Sequence, residues 1–155
     1  MEQKKILMEK LITFLKTEPA CHDTFRALSP KAEIEIIVGG ANHLRLRPDQ
    51  EMNSVKVEEL KALAPDFVFS ATPSAIEVLV AETGLSPSQL ALKLIKQMLS
   101  QEVTLSMPVS PFVIPRKGYF NLIKLGGGEL LNELRKYNLH SMPKILAALK
   151  KIAKG

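Results

Sequence analysis

The sequence contains few of the residues on which several classes of protein depend. It has one cysteine, Cys21, and no tryptophan, and aromatic residues make up only 5% of its 155 residues. A single cysteine excludes an internal disulfide and cannot build a thiolate zinc site. No apolar run approaches the roughly 20 residues that a membrane-spanning helix needs. We therefore predict a protein that folds around an ordinary hydrophobic core.

The two ends of the sequence carry none of the common targeting patterns. Residues Met1–Lys5 are mostly polar and lead into a patterned helix rather than a signal-peptide core with a cleavage site. The last residues, Ala153-Lys154-Gly155, differ from the Ser-Lys-Leu type of ending that directs proteins to peroxisomes. We expect a cytoplasmic protein.

The excess of basic residues is moderate. The sequence has 21 Lys and Arg against 16 Asp and Glu, which gives a net charge of +5 and a pI near 9.4. Such a balance is compatible with nucleic-acid binding. The basic residues are, however, spread from Lys4 to Lys154, and most fill the polar faces of amphipathic elements. Nucleic acid is therefore the least favoured of the partners considered.

Length and composition predict one globular domain. A chain of 155 residues with 46% hydrophobic and 24% charged residues can bury a sizeable core. No internal repeat or low-complexity linker divides it. We predict a single domain over 1–155, with a core over about 5–127 and a C-terminal helical extension over 128–155.

Two kinds of periodicity follow one another along the chain. Leu7, Leu11 and Leu15 recur at helical spacing, which predicts a first helix that Pro19 limits. The segment 32–38 then alternates apolar and polar residues, and so does the segment 43–47 after a glycine-rich turn. These segments predict a β-hairpin. Three further strands are predicted at 55–57, 67–69 and 103–107.

Two more helices have strong N-terminal signals. Thr72 is predicted to cap a helix that has Pro73 at its first position. Ser86 and Gln89 have the spacing of a capping box, so a second helix is predicted to begin there. Less regular helical segments are predicted over 119–125 and 129–137, and Ser141 is predicted to cap a last helix.

The residues with potential for nucleophilic or metal chemistry form no recognisable site. Cys21, His22 and Asp23 are adjacent, but neighbours on a helix point about 100° apart. His22, His43 and His140 show no metal-ligand spacing with one another. We therefore predict no catalytic residue, no metal and no cofactor.

Two other groupings have simpler structural interpretations. Glu33 and Glu35 share one face of a strand, where a carboxylate pair is one interpretation and the solvated side of an edge strand is the favoured one. Gly126-Gly127-Gly128 lacks the lysine and hydroxyl residue of a phosphate-binding loop, so we interpret it as a hinge between helices. Neither grouping changes the prediction that the protein is not an enzyme.

The order of elements resembles that of the sterol carrier protein family. The resemblance covers about 5–127 and rests on three stretches: the hairpin over 32–47, the strand that runs directly into a capped helix over 65–76, and the strand over 102–107. The segment 108–118 departs from the family pattern because it is richer in proline and bulky apolar residues. The helix after Ser141 is also additional to the minimal domain.

This resemblance implies an α+β fold and an apolar ligand. The fold would be a five-stranded, mainly antiparallel sheet with helices packed on one face and an apolar tunnel between them, and an extra C-terminal helix. Members of the family bind fatty acyl chains, sterols and other lipids, and some relatives assist quinone synthesis. The predicted lipid-binding residues are Phe67, Phe69, Ile76, Leu79, Leu94, Met98, Leu105, Phe112, Ile114, Phe120 and Ile123. The alternative is that these side chains fill a closed core.

Two basic groups are predicted to contact a membrane surface or a lipid head group. Arg116 and Lys117 follow a proline-spaced apolar stretch, which is interpreted either as a lid or membrane-touching loop or as an extended connection packed on the body. Lys150 and Lys151 lie on the polar face of the last helix, which is either an interfacial helix or one docked on its own domain.

The sequence thus favours a non-enzymatic protein that binds or carries a lipid or fatty-acid-like molecule in an internal tunnel. The first alternative is a protein-interaction module with the same fold and a closed core, whose apolar proline segment docks a protein partner. The second is a basic nucleic-acid-binding protein. A bound hydrophobic molecule separates the first hypothesis from both alternatives.

Overall fold

The computed structural model describes residues 2–52, 54–106, 108, 117, 132 and 136. The elements assigned within these residues are two helices, four strands, two further helices and a final strand. They are α1 (Glu2–Thr17), α2 (Pro19–Arg26), β1 (Ile34–Val38), β2 (Asn42–Asp49), β3 (Ser54–Glu58), β4 (Phe67–Ala71), α3 (Pro73–Ala81), α4 (Pro87–Leu99) and β5 (Val103–Ser106).

The five strands form one sheet in the order β3-β2-β1-β4-β5. Strand β1 lies at its centre, antiparallel to β2 and parallel to β4, and the two outer pairs are antiparallel. The prediction of an α+β fold with a five-stranded, mainly antiparallel sheet is therefore confirmed.

The turn between β1 and β2 depends on two glycines. Gly39 and Gly40 have φ angles of +63° and +77°, in the left-handed region that residues with a Cβ rarely occupy. Positive φ at both central positions matches the twist of the flanking strands in a tight hairpin. The turn sets the register in which Ile34 pairs with Leu46 and Ile36 pairs with Leu44. The predicted hairpin is confirmed.

One face of the sheet is apolar on all five strands. Because side chains alternate along a strand, the observed register places residues from every strand on this same face. They are Ile34, Ile36, Val38, Leu44, Leu46, Val55, Val57, Phe67, Phe69, Ala71, Val103 and Leu105. The described helices pack on this face, so the hydrophobic core lies between the helices and the sheet.

The helix boundaries follow their local signals. Thr72 caps α3 by accepting a hydrogen bond from the N–H of Ala75 at 3.1 Å. Ser86 and Gln89 form both hydrogen bonds of the predicted capping box at the start of α4. Glu18 adopts an extended backbone between α1 and Pro19, the first residue of α2. The predicted helix starts at Pro73 and Pro87 are confirmed.

Buried carboxylates lie on the opposite face of the sheet. Glu33 and Glu35 are only 7% and 4% exposed, and Glu35 lies in the central strand β1. The prediction that they form the solvated side of an edge strand is therefore wrong. An alternating pattern does not distinguish a strand exposed on its polar face from one whose polar face is covered and neutralised by partners.

The partners of these carboxylates explain their burial. Arg45 Nη2 donates to Glu33 Oε2 at 3.0 Å, and His43 Nδ1 lies 3.2 Å from Glu35 Oε2. The loop between β3 and β4 supplies the remaining hydrogen bonds. Its residues Ala62 and Ala64 donate their backbone N–H groups to Glu35 and Glu33 at 2.9 and 3.2 Å. The carboxylates thus fix this loop against the sheet, as buried charges require.

Several sequence-based predictions concern residues outside the described part of the chain. They include the proline-spaced stretch before Lys117, the glycine hinge at 126–128 and the helix after Ser141. These stay predictions, and so does the division into a core over about 5–127 and a C-terminal extension over 128–155. None of the described helices combines the length and apolar composition that crossing a membrane requires.

Candidate ligand-binding cavity

A cavity of about 220 Å³ lies between the apolar face of the sheet and the helices. All four described helices and the strands β1, β2, β4 and β5 contribute to its wall. It occupies the layer where the sheet and helix faces would otherwise meet in close packing. We name it the interlayer cavity.

The sheet side of the interlayer cavity follows directly from the strand register. Phe69 in β4 pairs with Ile36 on one side and with Leu105 on the other, so neighbouring strands present apolar side chains at the same level. Phe69 is half-buried, whereas its neighbour Phe67 is 8% exposed. The sheet residues that line the cavity are Ile34, Ile36, Leu46, Phe69, Ala71 and Val103.

The helix side is built mainly from α2 and α4. Helix α4 contributes Leu90, Ala91 and Leu94, whose side chains are only partly buried despite facing the apolar layer. The spacing of 90 and 94 places these residues on one face of the helix. The other lining residues of the helices are Phe14, Leu15, Cys21, Thr24, Phe25, Ile76, Leu79, Pro87 and Gln97.

The polar groups in this lining are a thiol, a hydroxyl and an amide. Burial, with a smaller contribution from the negative charge of Glu18, raises the pKa of the Cys21 thiol to about 12. Cys21 is therefore protonated at neutral pH and is a poor nucleophile. Thr24 Oγ1 donates its hydrogen to the backbone oxygen of Ala20 at 2.7 Å. The described residues hold no cluster of three or more metal-ligating side chains.

Among the polar side chains of this lining, Gln97 has an oxygen without a hydrogen-bond partner in the described part of the chain. It is 8% exposed, and its Nε2 donates to the backbone oxygen of Ala75 at 2.9 Å. No described residue donates a hydrogen bond to its Oε1. Gln97 was not among the residues predicted from the sequence, although a signal was present: positions 90, 94 and 97 have the i, i+4, i+7 spacing of one helix face.

The predicted lipid-binding residues fall into three groups. Four of them come together in the lining of the interlayer cavity: Phe69, Ile76, Leu79 and Leu94. Three others, Phe67, Met98 and Leu105, are buried in the adjoining core outside that lining. The remaining four, Phe112, Ile114, Phe120 and Ile123, lie outside the described residues. Ligand contact by any of them stays a prediction.

The structure places Lys117 in an ion pair. Its Nζ lies 2.6 Å from Oδ1 of Asp66, which is fully buried, and its backbone oxygen accepts a hydrogen bond from the N–H of Ser29 at 2.8 Å. A lipid head group would have to compete with Asp66 for this ammonium group. The other residues predicted to contact a head group, Arg116, Lys150 and Lys151, lie outside the described residues.

The contribution of α1, α2 and β1 to the cavity was not predicted. Leu15 and the alternating segment 32–38 were recognised only as parts of their own elements. Their alternation or helical spacing identified an inward face, but not which inward side chains border a space. That distinction depends on the volumes of residues brought together from distant parts of the sequence.

Comparison with known proteins gives distant likenesses to solved structures. A scan against protein-family models and a search of curated proteins found no match. A solved structure titled "UbiJ-SCP2 Ubiquinone synthesis protein" is similar to this chain with 20% sequence identity and a TM-score of 0.44. The match covers 80% of this chain and 94% of that one. At this identity and TM-score, the likeness carries no functional conclusion.

Proposed function

We propose that this protein binds a lipid-like apolar ligand in the interlayer cavity and holds it without covalent chemistry. The observation that carries the proposal is an apolar space, lined from both layers, in the position where a closed core would have side chains in contact. Close packing is the normal state of a protein interior, whereas Phe69, Leu90 and Leu94 in this lining keep part of their apolar surface exposed, which a bound apolar ligand would remove from water.

The size of the cavity supports a ligand with a narrow apolar part. A dry, apolar cavity of about 150 Å³ is enough to bind benzene, whereas pockets for larger ligands measure about 300–1,000 Å³. The 220 Å³ of the interlayer cavity lies between these values. It suits a single ring or a short length of acyl or isoprenoid chain.

Burial of that apolar part would supply the binding energy. Each methylene group transferred from water to an apolar environment contributes about 0.8 kcal/mol. The half-buried side chains of Phe69, Leu90 and Leu94 would lose exposed apolar area on binding as well. These terms must exceed the entropy cost of association and of ordering the ligand.

The groups in the described lining favour a binding protein over an enzyme. Cys21 is kept protonated, Thr24 donates to the backbone, and the amide of Gln97 neither gains nor loses a proton near neutral pH. None of these three is poised for general acid–base catalysis at pH 7.

The test is native mass spectrometry of the purified full chain, followed by organic extraction and identification of any bound lipid. Apo protein is then titrated with a mixture of fatty acids, fatty alcohols, phospholipids and quinones. We expect a one-to-one complex with at least one of these classes. An apo mass with no uptake from the mixture would overturn the proposal and leave the interaction module as the leading hypothesis.

A matched pair of variants locates the ligand. Ala91→Phe places a large side chain in the interlayer cavity, whereas Ala81→Phe makes the same substitution at an exposed helical position outside it. We expect Ala91→Phe to weaken uptake at least tenfold and Ala81→Phe to leave it unchanged, with both variants folded by circular dichroism. Equal uptake by both variants would place the ligand elsewhere.

A further inference from the structure

The loop between β3 and β4, residues 59–66, exposes two large apolar side chains. Leu63 is 86% exposed and Leu60 is 41% exposed. Leu63 is the most exposed large hydrophobic residue in the described part of the chain. The loop is bonded to carboxylates on the polar face of the sheet, so its leucines lie on the side opposite the interlayer cavity.

The hydrogen bonds of this loop hold it in one position. Ala62 and Ala64 donate their backbone N–H groups to the buried carboxylates of Glu35 and Glu33. The ion pair of Asp66 with Lys117 fixes the end of the loop that leads into β4. Since the loop is ordered when the protein folds, contact with a partner requires little further loss of conformational entropy.

The same bonding pattern leaves few backbone donors to hydrate. Leu60 donates its N–H to the backbone oxygen of Glu58 at 3.0 Å, and Asp66 donates its N–H to that of Glu33 at 2.7 Å. Pro65 has no N–H group. Together with the two alanines, these loop residues have no N–H group left unpaired. A segment enters an apolar lipid environment at low cost only when its backbone donors have such partners.

The small size and the charge of the loop favour a lipid surface over a protein partner. A stable protein interface buries about 800 Å² on each partner, far more than two leucine side chains provide. A bilayer accepts a small protruding group without a complementary shape. The exposed charges of Glu59 and Lys61 are opposite in sign and offset each other, so the loop has no net charge that would attract anionic lipid.

We infer that the loop over 59–66 docks on the surface of a lipid bilayer by inserting Leu60 and Leu63 between neutral head groups. This inference goes beyond the proposed function, because it concerns the other face of the sheet and needs no ligand in the interlayer cavity. It also differs from the head-group contacts predicted from the sequence, which rely on basic side chains. Docking through two leucines is weak and reversible.

Tryptophan fluorescence measures insertion directly, because the chain contains no tryptophan of its own. Leu63→Trp places one reporter in the loop, and Leu99→Trp places one at the end of α4, where Leu99 is 50% exposed. With vesicles of phosphatidylcholine, the emission of Leu63→Trp should shift to shorter wavelengths and be quenched by phospholipids that are brominated in their acyl chains. The emission of Leu99→Trp should not change.

Removal of the leucine gives an independent measurement. Co-sedimentation with phosphatidylcholine vesicles compares Leu63→Asn with Leu99→Asn, two substitutions at exposed positions that should leave the fold intact by circular dichroism. We expect Leu63→Asn to partition about tenfold more weakly than the wild type, because it loses the burial of one leucine side chain, and Leu99→Asn to partition equally. Raising the salt concentration should leave the partition of the wild type unchanged, since the contact is apolar.

The outcomes separate this inference from the proposed function. Unshifted emission of Leu63→Trp, or equal partition of the two asparagine variants, would overturn the inference, point to a protein as the partner of the loop and leave ligand binding in the interlayer cavity unaffected. Partition that falls steeply with salt would also overturn it, because the contact would then be electrostatic. Ala91→Phe fills the interlayer cavity and should bind vesicles as the wild type does. Loss of vesicle binding in that variant would contradict docking through the loop.

Discussion

Oε1 of Glu18 accepts a hydrogen bond from the backbone N–H of Gly84 at 2.7 Å. Glu18 lies at the corner between α1 and α2 and is 7% exposed, and Gly84 lies in the turn between α3 and α4. The bond joins two segments that are 66 residues apart in sequence. It therefore fixes one helix pair relative to the other on the same side of the sheet as the interlayer cavity.

Loss of this bond should destabilise the protein. A buried hydrogen bond to a charged group contributes about 1.5–3 kcal/mol. We expect Glu18→Ala to lower the free energy of unfolding by about 2 kcal/mol in urea titrations. Glu9→Ala, which removes an exposed carboxylate from α1, is the control and should change stability little. Equal midpoints for the two variants would show that the Gly84 bond does not hold the helix pairs together.

Protonation of Cys21 makes stability depend on pH in the alkaline range. The folded state keeps the thiol proton up to a pKa of about 12, whereas the unfolded chain loses it near 9. Between these values the native state binds more protons, so the free energy of unfolding falls as pH rises, by up to about 1.4 kcal/mol per pH unit. The contribution of Cys21 is complete below pH 9.

The variant Cys21→Ala isolates this contribution from the other groups that titrate at high pH. We expect the wild-type protein to lose about 2 kcal/mol more stability than the variant between pH 9 and pH 11. The measurement is urea unfolding of both proteins across this range. Parallel curves would mean that the thiol ionises in the folded state as readily as in the unfolded chain.

The sequence predicted the strands and helix starts because their signals are local. The alternation at Ile34 and Ile36 indicates a strand, Gly39-Gly40 permits the turn, and Thr72 and Ser86 cap helices through hydrogen bonds within three residues. Such signals require only the periodicity of the backbone and the chemistry of the nearest residues.

The features that the sequence failed to predict depend on residues far apart in the chain. The burial of Glu33 requires Arg45 and the N–H of Ala64, and neither partner can be inferred from the alternation around 33. The interlayer cavity likewise depends on how the side chains of α2 and α4 fill the space above β1 and β4. Gln97 was overlooked because a single polar residue in an apolar helix face is easily treated as an exception to the pattern.

Glu33 should be far more important to stability than an exposed carboxylate. Removing one partner of a buried ion pair costs about 3–5 kcal/mol, because the other charge is left without compensation. We expect a loss near the lower end of this range for Glu33→Ala, because Arg45 keeps Glu58 at 3.8 Å as a second partner while the N–H of Ala64 loses its acceptor. Glu33→Gln keeps an acceptor for Ala64 and should lose less.

The control is Glu59→Ala, which removes an exposed carboxylate from the loop that follows β3. Its free energy of unfolding should stay close to that of the wild type. Hydrogen exchange provides a second readout, since the amide of Ala64 should lose protection in Glu33→Ala. Unchanged exchange at Ala64 would contradict the assignment of Glu33 as the group that fixes this loop.

Substitution of Lys117 tests which of two roles this residue has: neutralising Asp66 inside the protein or contacting a membrane head group. If its main role is to neutralise Asp66, Lys117→Ala removes the ammonium group from beside a fully buried carboxylate. We then expect a loss of about 3–5 kcal/mol in the free energy of unfolding and no change in binding to anionic phosphatidylserine vesicles. If its main role is head-group contact, the variant should keep its stability and bind the vesicles more weakly.

The control is an exposed lysine that forms no ion pair with the residues that the structure describes. Lys61 is exposed in the loop between β3 and β4, and Lys61→Ala changes the net charge by the same amount. Vesicle co-sedimentation at two salt concentrations, with urea unfolding of the same samples, measures both effects. We expect Lys117→Ala to be the less stable variant and the two to bind vesicles equally. Because Asp66 Oδ2 also accepts the N–H of Glu33 at 3.0 Å, the loss should extend to the start of β1 and reduce amide protection there.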